Sequence, residues 1–296
     1  MSKTTATVSS HARASQPVAG LTATLNFIRP QDAKPVFHSA ALTGGAPKLF
    51  FEMEPHTVTI AEMRDIADTL SIDREGFKLL TCPTAVDDLY DDEAIEQIYY
   101  PEIQALLRRE LGASRVEIFD VTRRSDSSSG ARNPDGLRAP ATRVHVDYTV
   151  NSGPQRVRDV FGDAEADRLA ASGARIVEVN VWRPIRGPVE RSPLALADAS
   201  SVRPGELVAT DQIFPRRVGE IYHLAYAPQQ RWYCASRMTP DEVILIKGWD
   251  TVDDGRARFT PHGSFTLPQT RAGAPPRESI EVRTLAIFEP LRKPTA

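Results

Sequence analysis

Cysteine is nearly absent: Cys82 and Cys234 are the only two in 296 residues. Two thiols cannot build a disulfide framework and are too few for a thiolate zinc site unaided, so a reducing compartment fits. Long apolar runs are missing as well. No stretch approaches the roughly 20 residues of a membrane span, and MSKTTATVSSHARASQPVAG at the start lacks the apolar region of a signal peptide. The expected location is the cytoplasm, with no membrane partner. Charge of one sign is lacking too, because 36 basic and 39 acidic side chains are scattered to a net charge of −3. That leaves no basic footprint for nucleic acid. No fixed-period repeat is present. The remaining partner class is a small molecule, and the oligomeric state is left open.

What is present is an ordinary globular composition, 41% hydrophobic and 25% charged. Residues 1 to about 20, rich in Ser, Thr and Ala, are expected to form a mobile leader. Residues 21–296 read as a single domain, with N-terminal α/β additions over 21–122 and a core over about 143–290. Alternation predicts strands at Leu21–Ile28 and His56–Ile60, and helical spacing predicts a helix over Asp91–Leu111 that Pro101 kinks or divides. After a strand at Val116–Val121, the polar stretch Arg123–Pro140 reads as a long flexible loop, placed to close over a pocket. From Arg143 onward, short strand-like runs follow: RVHVDYTV, RIVEVNVW, EIYHLAYA, RWYCA, EVILIKGW, ARFTP and SIEVRTLAIF. One helix, at about Pro154–Ala171, interrupts them. The fold class is mainly β with added helices, as a sandwich or barrel.

In RVHVDYTV, a strand's two-residue period sets Val144, Val146 and Tyr148 on one face and His145 and Asp147 on the other. An isolated His-x-Asp is commonly a surface hydrogen-bonded pair. A further histidine would complete the two-His, one-carboxylate face of an octahedral Fe(II), leaving positions open for a keto acid and O2. FTPHGSF supplies His262, and fifteen residues beyond it comes Arg277, with Ser279 following at the same spacing as His145 and Asp147. A keto dicarboxylate needs a planar, permanently charged donor for its far end, which Arg277 offers, with Ser279 adding a hydroxyl. Arg283 is the rival donor and His223 the rival third ligand. Asn180 and Trp182 share a strand face and are candidates for the keto-acid or substrate pocket, although Trp182 also reads as plain core. Arg156 and Arg158 are candidate contacts for an acidic substrate.

The set His145-x-Asp147, His262 and Arg277-x-Ser279 resembles that of the Fe(II)/2-oxoglutarate-dependent dioxygenases. More narrowly, GFKLLTCPTAVDDLYDD, YYPEIQALLRRELGASRVEIFDVTRR, VNVWRPIRGPVERSPLALADASSV and PPRESIEVRTLAIF are similar to the hydroxylase/desaturase family that includes gibberellin-desaturase-like and cephamycin-methoxylation-like proteins. The resemblance implies a double-stranded β-helix (jelly-roll, cupin-like) core, with iron on His145, Asp147 and His262. It also implies 2-oxoglutarate near Arg277, Ser279 and Asn180, and oxidation of a secondary metabolite or related small molecule by O2. Two other readings remain open: a cupin-type metal enzyme that does not use 2-oxoglutarate, and a non-catalytic protein on the same fold that binds a small molecule or assists a partner.

Overall fold

The structure is a computed structural model that describes residues 20–133 and 136–290. The expected leader, apart from Gly20, lies outside the described residues. The early strands are β1 (Leu21–Ile28), β2 (Val36–His38), β3 (Lys48–Leu49), β4 (Met53–Glu62), β5 (Phe77–Thr81), β6 (Arg115–Ser125), β7 (Ala131–Asn133) and β8 (Gly136–Arg138). The later ones are β9 (His145–Val146), β10 (Arg175–Pro184), β11 (Leu194–Ala197), β12 (Leu207–Ile213), β13 (Val218–Leu224), β14 (Trp232–Cys234), β15 (Glu242–Asp250), β16 (His262–Ser264) and β17 (Glu278–Phe288).

All but β7 and β8, which pair with each other, form a ten-stranded sheet, β1-β4-β14-β11-β16-β9-β13-β12-β2-β3, facing a five-stranded sheet, β5-β15-β10-β17-β6. The larger sheet curls on itself. Asn26 of β1 bridges to Arg143 just before β9, and the Val144 amide donates to the Asn26 carbonyl at 2.9 Å. The enclosed space is filled by Leu25, Phe27, Val144, Ala195, Ala197, Trp232 and Phe265. Because side chains alternate, the neighbours of these residues point the other way, toward the second sheet. Leu194 and Leu196 there pack against Trp182, Phe77 and Ile246.

β10 is buried along nearly its whole length because it is covered on both faces. Val177, Val179 and Val181 meet Ile95, Tyr99, Ile103, Leu106 and Leu107 of the long helical segment. Glu178, Asn180 and Trp182 therefore face the space between the sheets. Asp91 caps that segment by accepting from the Glu93 and Ala94 amides. Its first turns are α-helical and then π-helical over Ile95–Tyr99, and Pro101 opens the α-helix Tyr100–Leu111 instead of dividing it. The chain enters that helix from the π turn, in which the Tyr100 amide donates to the Ile95 carbonyl, so the change of helix type falls at the residue that has no amide to donate.

Three other expectations are corrected. The stretch Arg123–Pro140 is not a structureless loop: β6 runs on to Ser125, and β7 pairs with β8. Asn133, 7% exposed, exchanges hydrogen bonds with the backbone of Arg123 at 2.7 and 2.8 Å. ARFTP forms no strand. The helix expected near Pro154–Ala171 is two, Ser152–Phe161 and Asp163–Ser172, separated by Gly162 at φ 77°.

At the far end of β10 and β15 lies a buried ionic knot that composition does not reveal. Lys247, 0% exposed, donates to Asp73 at 2.6 Å, to Asp250 at 2.9 Å and to the Ala257 carbonyl at 2.8 Å, while Arg175 binds the same two carboxylates. Removing one partner of such a group leaves a charge buried without its counterion. Asp250→Ala is expected to lower unfolding free energy by about 3–5 kcal/mol in urea titration. A loss below about 1 kcal/mol, the worth of an exposed pair, would contradict this account.

Candidate functional site

β9 is only two residues long, held between β16 and β13, and it presents His145 directly opposite both His262 and His223. The expected longer strand ends early. Asp147 sits in a bend just beyond it, and the chain is drawn away by the turn in which the Thr149 amide donates to Ser152 Oγ at 2.9 Å. Asp147 and His145 still converge. One donor atom from each of His145, Asp147 and His262 lies within 4.8 Å of the others. The His145 and His262 rings are 4.7 Å apart, and His145 Nε2 stands 3.5 Å from Asp147 Oδ1.

Each imidazole is oriented from behind. His145 Nδ1 bonds the Arg143 carbonyl at 2.8 Å and His262 Nδ1 the Thr260 carbonyl at 3.0 Å. A carbonyl only accepts, so both rings are protonated at Nδ1 and offer the Nε2 lone pair to the space between them. Burial, reinforced by the neighbouring His145, pushes His262 below its ordinary pKa and favours the neutral, ligating form.

Asp147 is held from the opposite sheet. Asn180 Nδ2 donates to its Oδ2 at 2.7 Å, and Arg283 Nη2 stands 3.7 Å from the same oxygen. Burial would push this carboxyl up, but the Arg283 guanidinium holds it well below the usual carboxylate range. Asn180 thus sits among the predicted site residues, as a bracket for Asp147, and its Oδ1 is buried with no partner. Arg283 also pairs with Asp120 at 3.2 Å and Glu281 at 3.0 Å. It is committed to protein carboxylates.

Arg277 is placed differently. It is 3% exposed, its Nη1 donates to the Ser192 carbonyl at 3.1 Å, and its guanidinium lies 5.6 Å from the Trp182 ring centre. Its Nε has no partner, and no carboxylate among the described residues pairs with its side chain. Burial, with help from nearby Arg124, pulls its pKa down to about 10. Such an uncompensated buried cation invites an anion. Ser279, 1% exposed, stands two residues along and is paired in register with Arg124 of β6. By alternation the three share the face that looks between the sheets. Sequence reasoning missed Arg124. The signal available was only its parity with Asp120 on β6, legible once the pairing of β6 with β17 is known.

The other candidates separate. His223 is not in the triad, although it neighbours His145. Arg183, the residue after Trp182 on β10, points into the opposite core and bonds Tyr99 Oη at 2.9 Å. Arg156 bonds Tyr148 Oη at 3.2 Å, and Arg158 pairs outward with Asp163 and Asp167. Glu178 was not anticipated: 1% exposed, it has both oxygens unpartnered and fills the space left by Gly248, where a Cβ would lie 1.9 Å from Glu178 Oε2.

Burial, and then the charge on Asp147, push the Glu178 carboxyl well above its ordinary pKa. The folded chain therefore keeps a proton there that the unfolded chain gives up near the ordinary glutamate value of about 4.3. Folding takes up a proton, and stability falls as pH rises above that value. Glu178→Gln, in the metal-free chain, is expected to flatten the decline in unfolding free energy between about pH 5 and 8. Parallel pH profiles for parent and variant would contradict this assignment.

The comparisons with known proteins agree with this geometry. The family described as an oxidoreductase/YMDC permease-like domain matches residues 25–287. The hydroxylase/desaturase efuI of Hormonema carpetanum is 31% identical over 290 residues, covering 90% of this chain and 94% of its own. The hydroxylase/desaturase CTB9 of Cercospora beticola is 34% identical over 256 residues, 80% of this chain and 78% of its own. Among solved structures, the iron and alpha-ketoglutarate-dependent endoperoxidase NvfI superposes with a TM-score of 0.78 at 27% identity, over 91% of this chain and 98% of that one. The sequence called NvfI in Aspergillus novofumigatus, an Fe(II)/2-oxoglutarate-dependent dioxygenase, is 29% identical over 88% of this chain. The fold is thus the jelly-roll type of that enzyme. No helix among the described residues is long and apolar enough to cross a membrane. The chain belongs to the hydroxylase/desaturase family of the Fe(II)/2-oxoglutarate-dependent dioxygenases.

Proposed function

We propose that this chain is a non-haem Fe(II)/2-oxoglutarate-dependent oxygenase that hydroxylates or desaturates a small molecule of secondary metabolism. The observation that carries the reading is the convergence of three donors, two imidazoles and one carboxylate, in a fold that also holds a buried arginine, Arg277, with no carboxylate partner among the described residues. That donor set suits Fe(II) with positions left open. When bound, iron and the keto acid supply oxidation of an unactivated C–H bond by O2. The reading takes residues 21–296 as one oxygenase domain acting in the cytoplasm, with neither nucleic acid nor membrane as partner.

The chain's own residues have separable tasks. His145, Asp147 and His262 would hold the metal, and the backbone carbonyls behind the imidazoles fix which nitrogen faces it. Asn180 and Arg283 keep Asp147 ionised and aimed. Arg277 would bind the far carboxylate of 2-oxoglutarate, with Ser279 adding a hydroxyl and Arg124 a second positive charge. Trp182, beneath the Arg277 guanidinium, keeps water from that side. The retained carboxylate at Asp147 distinguishes the site from one that leaves a ligand position to a halide.

Arg277→Ala leaves the keto acid's remote charge to be buried alone. It is expected to weaken 2-oxoglutarate binding by about 2–5 kcal/mol in anaerobic calorimetry, with Fe(II) affinity nearly unchanged. Arg283→Ala is expected to weaken the metal instead, through Asp147. A large loss of 2-oxoglutarate affinity only in the Arg283 variant would reassign the site, and no loss in either would overturn the use of 2-oxoglutarate.

A further inference from the structure

Beside His145, on the side away from Arg277, is a second set of polar groups that neither metal nor keto-acid binding uses. His223 lies opposite His145 in the β9–β13 pairing, so its ring emerges from the same face of the sheet. It is 0% exposed, and its Nε2 has no partner. Its Nδ1 is 3.0 Å from Thr210 Oγ1, and that hydroxyl donates to the Val208 carbonyl at 3.2 Å. The hydroxyl proton being spent, Thr210 accepts from Nδ1, and Nε2 carries a bare lone pair. Burial pushes this imidazole well below its ordinary pKa, in keeping with a neutral acceptor.

Arg143 completes the set. Two residues before His145, it shares that face by alternation while Val144 fills the opposite core. Its guanidinium stands 5.4 Å from the Phe37 ring centre, its Nε is buried without a partner, and no carboxylate among the described residues pairs with it. The Phe37 ring is also 5.9 Å from the His223 ring, with Phe51 at 5.1 Å on the same imidazole. A bare acceptor, an uncompensated cation and two aromatic rings thus meet next to a metal-ligand candidate. A buried acceptor and a half-buried cation whose Nε is buried without a partner are both costly to keep, and a ligand that satisfies both reduces the cost.

We propose that this is the substrate side of the site, and that it takes a small planar molecule presenting a hydroxyl to His223 Nε2 and a neighbouring anionic oxygen to Arg143. A hydroxy acid or an enolised dicarbonyl carries that pair. The proposal rests on His145 being an iron ligand, because that is what sets the bound molecule beside the oxidising centre.

The test is calorimetric, on full-length protein with Fe(II) and 2-oxoglutarate bound under anaerobic conditions. The probes are 2-hydroxybenzoate, 2-methoxybenzoate, which lacks the donor, and methyl 2-hydroxybenzoate, which lacks the charge. The parent is expected to bind 2-hydroxybenzoate at least about tenfold more tightly than either control, a factor worth about 1.4 kcal/mol. Arg143→Gln is expected to abolish the preference for acid over ester alone, and His223→Phe the preference for hydroxyl over methoxy alone. His223→Gln, whose amide oxygen accepts, is expected to restore part of the second preference. Absence of 2-hydroxybenzoate binding, equal binding of all three probes, or preferences unmoved by these variants overturns the proposal. If 2-oxoglutarate itself fails to bind, the oxygenase reading fails, and the same titration on the metal-free chain still reads the subsite.

Discussion

The carboxylate of Asp147 is shared between two sheets, and the site depends on that bridge. The residue follows a two-residue strand of the large sheet, where little backbone pairing fixes it. What fixes it is the Asn180 amide at 2.7 Å and the Arg283 guanidinium at 3.7 Å, both from the smaller sheet. Register makes this possible, since Asn180 on β10 lies opposite Arg283 on β17 and Arg283 opposite Asp120 on β6. Three adjacent strands thereby aim one ion cluster at a carboxylate arriving from across the barrel. The arrangement keeps Asp147 charged despite burial, which a carboxylate donor to a metal requires.

The same spacing rules made some of this legible in advance and hid the rest. His145 and Asp147 on one face, His262 on a later strand and Arg277 beyond it follow from two-residue alternation and residue chemistry. Those signals are local. The partners of Asp147 were legible only as residues, because their meaning depends on cross-strand register, which no single segment encodes. Strand parity places Asn180 toward the keto-acid pocket, and only the register adds that its amide nitrogen also holds Asp147. Glu178 was invisible for a related reason: its burial depends on Gly248 on a neighbouring strand, at the bulge where register shifts between Glu178 and Val179. The stretch after Arg123 looked structureless because its small β7–β8 hairpin is polar, and Asn133 ties it down through backbone bonds instead of apolar contacts.

Overall charge is nearly balanced, yet the described residues place unpaired cations around the cleft. Arg277 and Arg143 have no carboxylate partner there, while most surface arginines do. Polar groups left unsatisfied inside a fold reduce stability, and they concentrate where a ligand is to be held. Arg277 suits the far end of a dicarboxylate on one side of the triad. Arg143 with His223 suits an oxygenated substrate on the other.

The central claim is that His145, Asp147 and His262 form one iron site. Anaerobic titration of the full chain with Fe(II), followed by metal analysis after gel filtration, measures it directly. The account predicts one iron per chain in the parent and in His223→Ala, with binding lost or strongly weakened in His262→Ala. Iron retained at parental affinity in His262→Ala and lost in His223→Ala would contradict it.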